Sequence, residues 1–74
     1  MLNKLRIICD DLIKKSEDNI FRYTRLEYIK KLLEDDKIFF KISLEEAYSI
    51  LRDLDFLESE YTKIYKELIN EKNF

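Results

Sequence analysis

Leu2, Leu5, Cys9, Leu12 and Ile13 fall three or four residues apart with polar residues between them. That spacing predicts an amphipathic helix over about residues 3–15. Asp10–Lys14 and Asp11–Lys15 add acid-before-base pairs at i,i+4, each worth about 0.2–0.5 kcal/mol. Ser16-Glu17-Asp18-Asn19 then breaks the apolar pattern and reads as a short connection. A second stripe follows in Leu26, Ile29, Leu32 and Leu33. Two starts compete for it. Thr24-Arg25-Leu26-Glu27 has the form of a capping box, with Tyr23 and Tyr28 placed as a hydrophobic staple. Asn19 is also a good cap, and its use brings Ile20 and Phe21 into the helix. The helix should fade near Asp35-Asp36, because acids at a carboxyl end oppose the helix dipole.

Lys37-Ile38-Phe39-Phe40-Lys41-Ile42 is apolar, aromatic and β-branched, a composition that favours extended structure. Its length suits a compact linker of a helix bundle, with room for one helical turn. A second capping box, Ser43-Leu44-Glu45-Glu46, closes it. Leu44, Ala47, Tyr48, Leu51 and Leu54 then carry a third stripe, and Leu57, Tyr61, Ile64, Tyr65 and Leu68 a fourth. Asp53 to Phe56 holds poor helix formers, with Asp55 as a candidate cap and Glu58 at its third position. A break near residues 53–57 is favoured over one continuous helix across 44–71. The expected fold is all-α: a small bundle of three or four short antiparallel helices, about 3–15, 20–35, 44–54 and 57–71, in a single domain over residues 1–74.

Composition sharpens this reading. The chain has no glycine and no proline. Without proline nothing forbids helix, and without glycine no helix has its usual left-handed stop. Frequent Ile, Lys, Asn, Phe and Tyr beside a single alanine match AT-rich codon usage. A chain of 74 residues buries only about 60% of its unfolded surface, so its core is thin. Self-association is a common remedy, and a homodimer or a complex with a larger protein is expected. A lone cysteine fits a reducing, cytoplasmic setting. The apolar run before Asp10 is too short for a signal-peptide core, and no run reaches the length of a membrane span.

Charge is high and nearly balanced, 14 basic groups against 16 acidic. It is unevenly placed: residues 1–41 carry 10 basic and 8 acidic groups, residues 42–74 carry 4 and 8. The resulting +2 and −4 could align two copies head to tail or favour a basic partner on the second half.

The usual catalytic vocabulary is missing. There is no histidine, the commonest acid–base group near neutral pH. Cys9 lies on an apolar stripe, where a thiol behaves as a small hydrophobe. The acidic pairs Asp10-Asp11, Glu34-Asp35-Asp36 and Glu45-Glu46 sit at adjacent positions that diverge on a helix. Calcium loops and phosphate-cradling loops in their usual forms need glycine. No catalytic residue, metal site or cofactor is therefore expected.

Two binding readings remain. Of ten aromatic residues, Phe39, Phe40, Phe56, Tyr61, Tyr65 and Phe74 exceed what a small core obviously needs. Phe56, Tyr61 and Tyr65 sit at stripe positions, and Phe74 adds to the surplus. Phe39 and Phe40 are adjacent in a linker, where both can rarely face one core, so at least one is expected to contact a partner or a second copy. The leading expectation is a non-enzymatic protein-interaction module: a small regulator, inhibitor or adaptor. The alternative is a small dimeric helical binder of RNA or DNA that uses the 19–31 segment. There Arg22, Arg25, Lys30 and Lys31 face only Glu27 in opposition, with Tyr23 and Tyr28 interleaved. At about 100° per residue, however, those cations do not form one stripe.

Overall fold

The computed structural model describes residues 1–72, and Phe74 lies outside them. The described residues form an all-helical bundle with no strand. In chain order the helices are α1 (Leu2–Lys15), α2 (Ile20–Glu34), the single turn α3 (Asp36–Phe39), α4 (Leu44–Asp53) and α5 (Tyr61–Lys72). A 3₁₀ turn at Glu58–Glu60 leads into α5.

α2 begins at Asn19, whose side chain accepts from the Arg22 N–H. Of the two competing starts, Asn19 is the one used, in line with the expected helix over about 20–35. Thr24 is exposed and lies inside α2, because the Asn19 cap lets one more turn form ahead of it. α2 does end at Asp35, where the chain turns extended. The Asp35 carboxylate then accepts from the Lys37 and Ile38 N–H groups and starts α3. An acid that suits the end of one helix poorly caps the next one well. Ser43 caps α4 as expected, accepting from the Glu46 N–H at 3.1 Å.

The break after α4 is present, but Asp55 does not cap the following turn. It stands at φ 68°, just beyond the end of α4. The Asp55 N–H donates to the Arg52 carbonyl and the Phe56 N–H to the Leu51 carbonyl. These two bonds make a Schellman stop with aspartate in the left-handed position. Leu51 and Phe56 both join the core cluster, supplying its usual apolar contact. The left-handed stop therefore exists without glycine, because Asp tolerates this region better than most residues. The start of the next turn falls to Leu57, whose N–H is held by the Glu60 carboxylate at 3.1 Å.

α1 and α2 run antiparallel. The Arg6 Nε donates to the Leu33 carbonyl at 2.6 Å, and the Cys9 thiol to the Leu26 carbonyl at 3.4 Å. One core gathers Leu5 and Cys9 of α1, Leu26, Ile29 and Leu33 of α2, Phe39 of α3, Ile50 and Leu51 of α4, and Ile64 and Leu68 of α5. Each large apolar side chain here contributes roughly 1.5–3 kcal/mol by leaving water. Tyr48 of α4 packs on Tyr61 and Tyr65 of α5, with ring centroids 5.5 and 6.1 Å apart. No helix among the described residues is long and apolar enough to cross a membrane.

Candidate protein-binding surface

α3 is only four residues long, so neighbouring side chains on it diverge by about 100°. Phe39 turns into the core and is 4% exposed. Phe40 caps the turn and stays half-buried, with its ring edge-on to Phe39 at a centroid distance of 5.4 Å. The pair thus divides in part: Phe39 lies inside the core, and Phe40 packs against its edge while staying partly exposed.

Phe40 is the common wall of three neighbouring concavities. The largest is an open groove of about 540 Å³ lined by Asp36, Lys37, Phe40, Lys41 and Lys72. A second, of about 280 Å³, lies between the start of α1 and Glu71 of α5. In the large groove the aromatic face is rimmed by ammonium groups. Lys72 reaches in from the end of α5, its Nζ 3.5 Å from the Phe40 carbonyl. Asp36, the one acid of the lining, is occupied by the Arg6 guanidinium at 2.5 Å. Among the described residues Lys37, Lys41 and Lys72 make no ion pair. The groove is therefore apolar at its wall and positive at its rim.

The 19–31 segment is arranged differently. Arg22 pairs with Asp55 at 2.9 Å, and Lys30 with Asp10 at 3.6 Å. Arg25 donates to Asp53 at 2.7 Å, to Ser49 at 3.1 Å and to Glu46 at 3.3 Å, and lies over the Tyr28 ring. Partial burial works against its charge, but the Asp53 and Glu46 carboxylates outweigh this and move its pKa up. The Glu27 carboxylate raises the pKa of the Tyr23 hydroxyl, first by accepting its hydrogen bond. Lys31 is exposed and has no carboxylate partner among the described residues. Three of the four cations of this segment are thus engaged by carboxylates from other parts of the bundle.

Cys9 is fully buried, and burial pushes its pKa up to about 11, helped by the neighbouring Asp10 charge. A thiol held protonated in this way is a poor nucleophile. Among the described residues no three histidine, cysteine or carboxylate side chains converge to hold a metal ion.

Two surface features escaped the sequence reading. Ile20 and Phe21 stand at the start of α2, and Phe21 is 87% exposed. Helical phase from Asn19 would have shown it, since Phe21 lies about 80–140° away from Leu26, Ile29 and Leu33. Leu57 was expected on the inner stripe of a helix but is 68% exposed. The left-handed turn at Asp55 resets the phase there, which residue spacing alone does not reveal. No protein-family model, curated protein or solved structure matches this chain.

Proposed function

We propose that this protein is a non-enzymatic protein-interaction module, a small regulator, inhibitor or adaptor that binds another protein or a second copy of itself. The observation that carries this reading is the groove at Phe40, an aromatic wall rimmed by Lys37, Lys41 and Lys72. Aromatic anchors are common at the centre of binding surfaces, and the rim around them is polar. The chain offers no histidine for proton transfer and shuts its thiol away, so binding is the work its surface suits. The unpaired thiol fits a reducing, cytoplasmic setting. The nucleic-acid reading is the weaker one, because Arg22, Arg25 and Lys30 are engaged by carboxylates that phosphates would have to displace.

The test is capture by the tagged chain from lysate of its source cells, with and without nuclease. A protein partner that survives nuclease treatment is expected. Capture that nuclease abolishes, together with a mobility shift of DNA or RNA at low salt, would move the function to the alternative.

A further inference from the structure

The Phe40 groove calls for an occupant with an apolar tip and acidic flanks, and the chain displays such a feature on its own surface. After the stop at Asp55, Phe56 packs toward the core while the next residue, Leu57, points outward. Glu58 and Glu60 follow it in the same turn, both exposed and both without an ion pair among the described residues. The Glu60 carboxylate also holds the Leu57 N–H, so the turn is shaped in advance. We infer that the Leu57–Glu60 turn of one copy seats in the Phe40 groove of a second copy, Leu57 against the ring and the two carboxylates toward Lys37, Lys41 and Lys72.

One molecule cannot make this contact with itself. The turn precedes the first residue of α5, and Lys72 is that helix's last. Twelve residues of helix hold the two about 17 Å apart. The contact joins unlike surfaces, so it links copies head to tail, as a closed ring or an open chain. It also gives a structural form to the charge difference between the halves, since Lys37 and Lys41 belong to the basic one and Glu58 and Glu60 to the acidic one. A single groove and one apolar tip form a small contact, well below the ~800 Å² per partner of a stable interface. The pairing is therefore weak, and it is sensitive to salt because its charges are exposed.

This inference rests on the protein-binding reading, and one series of measurements separates the two. Light scattering on the full chain should show a weight-average mass that climbs from 9.1 kDa to about twice that at ~1 mM protein, and that falls back in ~1 M salt. Leu57→Ser should remove the rise. So should Lys37→Glu with Lys41→Glu, and, separately, Glu58→Lys with Glu60→Gln, which keeps an acceptor for the Leu57 N–H. All of these positions are exposed, and unchanged circular dichroism would confirm folding. Mixing the two charge-reversed variants should restore association, because each then meets an opposite surface. A mass fixed at 9.1 kDa, or association that survives both reversals, overturns the head-to-tail contact. If the mass is fixed but the chain still captures a foreign protein through Phe40, only the self-pairing falls. If that capture is lost as well, the protein-binding reading falls with it.

Discussion

The Arg25 guanidinium on α2 donates to the Asp53 carboxylate on α4 at 2.7 Å, across 28 residues of chain. Ser49 and Glu46 accept from the same guanidinium. Residues 46, 49 and 53 stand on one face of α4, so a single side chain spans about two turns of its neighbour. The contact ties α2 to one face of α4 at three positions.

Arg25→Met should therefore lower stability by about 1–2 kcal/mol, the lower part of the range for charge-assisted bonds because the groups are partly solvated. For a domain of this size that is a drop of roughly 5–15 °C in Tm. A double-mutant cycle with Asp53→Asn should show positive coupling between the two positions. Strict additivity would mean that the pair contributes nothing beyond its separate parts.

The caps make a contrasting set. Asn19→Ala and Ser43→Ala should each cost about 1 kcal/mol, because each leaves a helix-start N–H without its acceptor. Thr24→Ala should be neutral or slightly stabilising, since alanine is the better residue inside a helix. Urea denaturation of the three variants ranks them. A loss at Thr24 equal to that at Asn19 would contradict the observed start of α2.

Asp55 takes the place of a glycine, at φ 68°. Asp55→Ala should lose about 1–2 kcal/mol, since it combines left-handed strain with loss of the Arg22 pair. Asp55→Gly removes that strain and should stay within about 0.5 kcal/mol of the native chain. Thermal melts that place the glycine variant below the alanine variant would count against the Schellman stop.

Cys9 gives a pH dependence of definite sign. Its folded pKa of about 11 lies above the ordinary thiol value of 9.0. The unfolded chain therefore releases this proton first, and the thiol's contribution to stability is complete below pH 9 and lost as pH rises toward 11. The fall in urea midpoint between pH 8 and pH 10.5 should be steeper in the native chain than in Cys9→Ala, which separates Cys9 from the tyrosines and lysines that titrate nearby. At pH 8 a thiol reagent should modify the folded protein at least ~100-fold more slowly than the urea-unfolded one. Equal rates would show that the thiol is open to solvent.

The helical stripes were legible because apolar residues at 3.6-residue spacing leave little choice of structure. Leu5, Leu26, Ile29, Leu33, Leu51, Ile64 and Leu68 all enter the core from them. Ser43 was legible because its cap is local. The start of α2 agrees with the expected 20–35 span, although two caps competed over five residues and local chemistry does not rank a longer helix against a shorter one. Asp55 was misread because a residue that can cap a start can also occupy a left-handed stop, and only the bonds back to Arg52 and Leu51 distinguish them. At the surface, adjacency alone marked Phe39 and Phe40 as a pair that must divide. Which ring turned outward depended on the start of α3, which Asp35 determines. The lysine rim was less visible, because Lys72 lies 32 residues beyond Phe40 and only folding brings it there.

The most direct measurement compares Phe39→Ser and Phe40→Ser in two assays, circular dichroism melts and nuclease-resistant capture. Phe39→Ser should cost about 3–5 kcal/mol and unfold much of the protein, as expected for a ring lost from the core. Phe40→Ser should keep the helical signal and a cooperative melt while losing the captured protein. Full capture by a folded Phe40→Ser chain would contradict the claim that the Phe40 groove is the binding surface.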